Sequence, residues 1–182
     1  MPKITRAGQA SKASTPPSKS PYQLFVERWQ GCTQCDLHKT RSHVVLTRGE
    51  LPCDVLFIGE APGEGEDAIG IPFIGPAGKL FDRILERSVE SIMVGAGAIT
   101  EDDVSNGSPV RYALANMICC IPRTEDGSKT DDPPDYAVKA CAGRLAEFVA
   151  LSKPQLIIAV GSFASDWLNH KRTSRVKLPG KC

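Results

Sequence analysis

DVLFIGEAPG, at residues 54–63, joins a short apolar run to a turn built from glycine and proline. A compact run of this kind, ending at Gly59, is typical of a buried parallel strand that delivers a loop to the edge of a sheet. The loop continues to Gly78, and KLFDRILERSV (79–89) follows with the spacing of an amphipathic helix. The residues of this helix expected to face inward are Leu80, Phe81, Ile84 and Leu85. The stretch therefore predicts a strand, a long loop and a helix.

The same alternation recurs further along the chain. YALANMICC (112–120) predicts a second strand, and QLIIAVG (155–161) predicts a third. A helix opened by Pro133-Pro134 lies between them, since helix starts favour proline, and SFASDWLNH (162–170) begins another. Strands that alternate with helices predict an α/β fold with three α/β/α layers around a central parallel sheet.

The length, net charge and distribution of apolar residues are those of an ordinary globular protein. A chain of 182 residues can build one domain with a substantial core. Its formal net charge of +1 excludes binding of nucleic acid by bulk positive charge, so any such contact depends on local patches. No apolar run approaches the roughly 18 residues that span a bilayer, and the first residues lack the apolar segment of a secretory signal. We expect a soluble cytoplasmic protein with no membrane contact.

Residues 1–20 differ in composition from the remainder. They are rich in serine, threonine, proline, alanine and lysine, and they contain no acidic residue. Such a segment buries too little apolar surface to order itself, which predicts a disordered basic tail followed by one domain at 21–182. A solvated tail is favoured over an arm that grips DNA.

The cysteines indicate a metal site. An odd number with one CxxC pair does not resemble a secreted disulfide framework. Cys32 and Cys35 follow a short predicted helix at 22–30, Cys120 follows the second strand, and Cys141 lies in the next helix. Four thiolates spaced in this way suit zinc or a 4Fe-4S cluster. The remaining cysteines are Cys53, Cys119 and Cys182, of which Cys119 competes with Cys120 as a ligand because neighbours on a strand point to opposite faces.

Polar residues follow the first strand, where ligands of such sheets bind. The loop after Gly59 is neither a Walker A sequence nor GxGxxG, and its carboxylates Glu64, Glu66 and Asp67 would repel phosphate. These carboxylates suit polarising a water or stabilising positive charge on a sugar. A tight turn with solvated carboxylates is an equally compatible interpretation.

Two further side chains suit recognition of a base. Phe73, in a loop between proline and glycine, can stack on a planar ring, although it can equally plug the loop. Asn116 is a polar residue in an apolar strand. Its amide offers a donor and an acceptor, as the Watson–Crick edge of a pyrimidine requires, or it bonds a neighbouring loop.

The order of these motifs resembles the iron–sulfur uracil-DNA glycosylases, usually called family 4, over about residues 22–180. The motifs are CxxC, GEAPGEGED, PFIGPAGKL, N-x-x-x-C-x-P, a cysteine in the following helix and IIAVGSFA. The resemblance implies a monomer that flips uracil out of DNA and hydrolyses its glycosidic bond, leaving an abasic site.

The resemblance also implies a role for individual positions. The 4Fe-4S cluster would be held by Cys32, Cys35, Cys120 and Cys141. The substrate would be contacted by the loop residues Gly59, Ala61, Pro62 and Gly63, while Phe73 stacks on uracil and Asn116 reads its edge. The catalytic carboxylates would be Glu60, Glu66 and Asp67.

The sequence departs from the family pattern in two places. EDGSKTDD (125–132) lengthens the gap between Cys120 and Cys141, and the family's His-Pro-Ser-type loop does not follow RTSRVKLPGKC (172–182). We therefore expect a chain truncated at its C-terminus, which leaves a catalytically impaired nucleic-acid-binding module as an alternative. A zinc-stabilised domain and a relative that crosslinks to abasic sites are further alternatives.

Overall fold

A computed structural model describes residues 18–97, 100–102, 110–124, 127 and 130–173. The described helices are α1 (Pro21–Trp29), α2 (Glu64–Ile69), α3 (Pro76–Gly95), α4 (Asp135–Ser152) and α5 (Ser162–Thr173). The strands are β1 (Thr47–Gly49), β2 (Val55–Gly59), β3 (Tyr112–Asn116) and β4 (Leu156–Ala159), and a short 3-10 helix spans Asp36–Lys39. No helix in the described part of the chain is long and apolar enough to cross a membrane.

The four strands form one sheet in the order β1-β3-β2-β4. Strand β2 lies in the centre and pairs in parallel with both β3 and β4, which confirms the predicted α/β fold. Strand β1 was not predicted and runs antiparallel to β3 at the edge of the sheet. Only three residues long and not fully buried, it has no apolar run by which the sequence could reveal it.

The two faces of β2 explain the three layers. Leu56 and Ile58 lie in a core cluster that includes Phe25 of α1 and Phe148 of α4. Phe57 lies in a second core cluster. Because successive side chains of a strand point to opposite faces, a strand covered on both faces is apolar throughout. All five residues of β2 are buried accordingly.

Helix α3 is longer than predicted and faces the sheet along a narrower strip. Phe81 packs edge-on against Phe57 with ring centroids 4.9 Å apart, and Leu85 is buried. Leu80 and Ile84 were expected to face inward as well, but they are 53% and 49% exposed. That part of the prediction is wrong, because a helix against one sheet face buries only the stripe that touches it.

Two predicted segments fall largely or wholly outside the described residues. The expected disordered tail, 1–20, is described only from residue 18 onward, where the chain is exposed. Residues 174–182, which hold most of the stretch near the expected truncation, also lie outside the described residues. The predicted division at residues 20 and 21 therefore stays a prediction.

Candidate active site

The ends of β2 and β3 bring three of the predicted residues together. Gly59 and Asn116 are register partners in the parallel ladder. A Cβ atom added to Gly59 would lie 2.6 Å from Asn116 Oδ1 and 2.6 Å from Phe73 Cζ. The absence of a side chain at Gly59 is therefore what allows the amide and the aromatic ring to meet at the carboxyl edge of the sheet.

Phe73 adopts a conformation that side chains rarely take. Its φ angle is 59°, in the left-handed region, and its ring packs on Phe81 with centroids 5.5 Å apart. Helix α3 approaches the backbone of Phe73 so closely that a Cβ atom at Gly78 would lie 2.1 Å from the Phe73 carbonyl oxygen. Residues held in sparsely populated conformations cluster at functional sites, where the surroundings determine them. Gly78 and Phe81 thus hold the ring beside Gly59.

Glu66 lies against the amide of Asn116. The Asn116 side chain is 3% exposed, and its Nδ2 donates to Glu66 Oε2 over 3.4 Å. Burial raises the pKa of Glu66 above its usual range, although hydrogen bonds from the backbone of Phe73 and Gly63 and from the Asn116 side chain oppose this shift. An ionised carboxylate only accepts hydrogen bonds, so it orients the amide nitrogen toward itself.

Glu60 begins the loop at the same edge. Burial raises its pKa above the usual range, and the negative charge of Asp132 adds to the shift. The loop backbone is fixed because Met117 N donates to Gly59 O over 2.8 Å and Ile118 N donates to Glu60 O over 3.2 Å. Beyond Glu60, the loop residues Ala61, Pro62 and Gly63 lead directly into α2, for which Gly63 is the N-cap.

Asp67 is placed differently from the other two carboxylates. It is 1% exposed, and both its carboxylate oxygens accept from Ser42 N over 3.0 Å. His43 N and Arg123 NH2 donate to the same carboxylate over 3.4 and 3.5 Å. The carboxylate is thus occupied by contacts that anchor α2 to the segment after the 3-10 helix.

We expect Asp67→Asn to lower the free energy of unfolding by about 1–3 kcal/mol, because the buried carboxylate accepts from three donors and an amide keeps only one accepting oxygen. Chemical denaturation measures the change. Glu64→Gln is the matched control, since Glu64 pairs with the same Arg123 but has a side chain that is 61% exposed. Exposed pairs contribute about 0–1 kcal/mol, and an equal loss in both variants would contradict the anchoring role.

The cysteine region lies where α1, α4 and the loop after β3 meet. Glu147 of α4 accepts from Trp29 Nε1 and from Arg28 NH1, both over 2.7 Å, and so fixes the end of α1 that leads to the CxxC pair. Cys119 Sγ and Cys141 Sγ are 3.8 Å apart. Arg41 NH1 donates to Cys120 Sγ over 3.0 Å. The predicted ligands therefore come from three segments that pack together.

The sequence predicts that only one of Cys119 and Cys120 reaches the site, because neighbours on a strand point to opposite faces. The structure has no strand at these residues. Strand β3 ends at Asn116, and the residues from 117 to 120 form bends. Both thiols consequently reach the cysteine region: Cys119 lies beside Cys141, and Cys120 lies beside Arg41. The pKa of Cys120 is below its usual value because Cys119 donates to its sulfur and, to a smaller extent, because of Arg41. Cys53 instead hydrogen bonds through its backbone to Ser152, at the other end of α4.

The donor chemistry of this region fits an iron–sulfur cluster. In the part of the chain that the structure describes, no group of three or more histidine, cysteine or acidic side chains is already close enough to hold a metal ion. The region nevertheless gathers thiols with two arginines, Arg41 and Arg144, and the Nε and NH1 atoms of the buried Arg144 have no hydrogen-bond partner among the described residues. Thiolate ligands with hydrogen bonds to sulfur are the usual environment of such clusters.

Arg41, Arg123 and Arg144 had not been singled out from the sequence. Their partners are far away along the chain: Arg41 contacts Cys120, Arg123 contacts Glu64 and Asp67, and Arg144 contacts the end of β3. Arginine is common on protein surfaces, so the residue type alone does not indicate a functional or buried position. Only the position of Arg144 in an otherwise apolar stretch of α4, AGRLAEFVAL, could have indicated a buried charge.

Known proteins match this chain over most of its length. A model of the family described as the Uracil DNA glycosylase superfamily matches residues 47–181. The Type-4 uracil-DNA glycosylase of Thermotoga maritima is 32% identical over 159 residues, which are 87% of this chain and 71% of the relative. Those of Pyrobaculum aerophilum and Saccharolobus solfataricus are 30% and 28% identical. These alignments cover 88% and 87% of this chain, and 72% and 63% of the relatives.

Proposed function

This chain belongs to the uracil DNA glycosylase superfamily, and we propose that it excises uracil from DNA by hydrolysing the N-glycosidic bond. The single observation that carries this proposal is the meeting of Gly59, Phe73 and Asn116 at the carboxyl edge of the sheet. A base must leave the stack to reach such a site, which costs least in single strands or at mismatches.

Phe73 and Asn116 supply the selection of the base. The ring of Phe73 stacks on the flipped uracil, and the amide of Asn116 donates to uracil O4 while accepting from N3–H. Glu66 acts as a positioning residue here, because its carboxylate accepts from the nitrogen of the Asn116 amide and so fixes which end of the amide is the donor. Cytosine presents the reverse pattern, with an acceptor at N3 and donors at the exocyclic amine, and is rejected.

The carboxylates and the loop backbone serve the bond cleavage. As the glycosidic bond breaks, positive charge develops on the sugar and the uracil leaves as an anion, after which water adds at C1′. Glu60 and Glu66 provide negative charge near the sugar, and the backbone of Ala61, Pro62 and Gly63 lines the nucleotide. Asp67 contributes by anchoring α2 rather than by touching the substrate.

The cysteine region fits a 4Fe-4S cluster held by Cys32, Cys35, Cys141 and either Cys120 or its neighbour Cys119. When bound, such a cluster crosslinks the CxxC turn, the loop after β3 and α4, which gives it a structural role. The protein would act on uracil-containing DNA as a monomer in the cytoplasm.

Release of uracil from a single-stranded oligonucleotide with one deoxyuridine tests the function. We expect the iron-loaded chain to release uracil and to leave a matching cytosine oligonucleotide intact, because cytosine presents the reverse pattern of donors and acceptors to Asn116. Iron analysis and brown colour, with about four irons per chain, distinguish the cluster from zinc. No release from folded, iron-loaded protein would contradict the enzyme and favour a nucleic-acid-binding module.

A further inference from the structure

Arg144 is a charged residue buried without any exposure. It lies on α4 three residues after Cys141, so the two side chains project from the same face of the helix. Removing a charge from water is costly unless every polar atom finds a partner. The surroundings of Arg144 therefore need an explanation.

One end of the Arg144 guanidinium is well bonded. Its NH2 atom donates to Asn116 O over 2.6 Å and to Met117 O over 2.9 Å. These carbonyls mark the point at which β3 ends and the loop toward Cys119 and Cys120 begins. Arg144 thus fastens α4 to the backbone of the residue that is proposed to read uracil.

The other end of the guanidinium has no partner within the described part of the chain. Its Nε and NH1 atoms are buried and make no hydrogen bond. Cys141 precedes Arg144 by three residues on the same face of α4, and Cys119 Sγ lies 3.8 Å from Cys141 Sγ. The donors that lack acceptors therefore belong to a group that adjoins the cysteine region.

We propose that Arg144 is a positioning residue that connects the cluster to the base-reading end of β3. Its Nε and NH1 atoms donate to the sulfur atoms of the bound 4Fe-4S cluster, while NH2 holds the carbonyls of Asn116 and Met117. This inference rests on the proposed function and on its cluster. It goes further by making the geometry of Asn116 depend on whether the cluster is bound.

Arg144→Lys tests the connection, because lysine keeps the charge but cannot donate in both directions at once. We expect iron loss to a chelator, followed as bleaching of the visible absorbance, to be at least about tenfold faster, and kcat for uracil release to fall by at least about tenfold. KM should change little, because DNA binding does not involve this buried residue. Far-UV circular dichroism establishes that the variant is folded.

Two comparison variants separate this role from a general loss of packing. Ser152→Ala removes a buried hydroxyl that donates to the Phe148 and Val149 carbonyls at the end of α4, away from Cys141, and it should match the wild type in both measurements. Arg41→Lys loses the contact with Cys120 but has none with Asn116, so it should speed iron loss with a smaller change in kcat. Wild-type bleaching or an unchanged kcat in Arg144→Lys would overturn the proposal.

A second measurement needs no variant. Hydrogen exchange of the Met117 and Ile118 amides, which bond the carbonyls of Gly59 and Glu60, should be faster in iron-free protein than in iron-loaded protein. The Val160 amide, which follows β4 and donates to the carbonyl of Ile58, serves as the internal reference. Equal exchange at Met117 in both forms would overturn the connection. Because neither iron loss nor exchange requires turnover, both remain informative if the wild type releases no uracil.

Discussion

Asn116→Ala is expected to lower the rate of uracil excision by at least about a hundredfold, since a preorganised donor removed from an active site costs about 10²–10³ in rate. The amide is buried at the end of β3, and a Cβ atom at Gly59 would lie 2.6 Å from both its oxygen and the ring of Phe73. The single-turnover rate on an oligonucleotide with one deoxyuridine measures the loss. Asn116→Asp keeps the shape without the donor and should lose a similar amount.

Asn169→Ala is the matched control for this substitution. Asn169 is exposed on α5, and its amide nitrogen donates to Ser165 Oγ of the same helix. Its removal should leave the excision rate unchanged. The proposed reading of uracil fails if folded, iron-loaded Asn116→Ala excises uracil as fast as Asn169→Ala does.

Cys141→Ala is expected to yield protein with less than about one iron per chain in place of about four, and with a strong tendency to aggregate. Cys141 is 5% exposed in the core between α4 and the loop after β3. Without its thiolate the cluster would lose a ligand and three chain segments would lose their crosslink. Iron analysis and size-exclusion chromatography measure the two effects.

Cys53→Ala is the control, because Cys53 is equally buried at 2% exposure but lies at the opposite end of α4. It should retain its iron. Full iron content in Cys141→Ala would refute the ligand assignment. The same analysis of Cys119→Ala and Cys120→Ala decides which of these neighbours is the ligand, as only one of them should lose iron.

Strands β2, β3 and β4 were predicted because each has a continuous apolar run. Strand β2 (Val55–Gly59) is covered on both faces, so its consecutive residues are all apolar and the strand can be recognised from the sequence. Helix α2 was predicted as loop, although Gly63 before an acidic first turn is a start signal that the helix dipole favours. Its six residues are too few to show an apolar period against a background of glycine and proline.

Sequence reasoning named residues of the candidate site but did not predict the contacts between them. Phe73 and Asn116 were identified as residue types suited to a base, and the structure brings them together across Gly59. The anchoring contacts of Asp67 with Ser42 and Arg123 could not be predicted, because hydrogen bonds between distant segments leave no periodic trace in the sequence.

The sequence by itself determined the α/β class, the order of the motifs and the chemistry each motif can carry, because apolar periodicity and residue type are local properties. The tertiary structure alone decided that β1 is antiparallel and that Asp67 is an anchor. It also decided that Arg144 is buried and donates to the carbonyls of Asn116 and Met117. These features depend on contacts between residues that are far apart in the sequence. Burial makes those contacts necessary, because a buried arginine or aspartate is costly unless its polar atoms are hydrogen bonded.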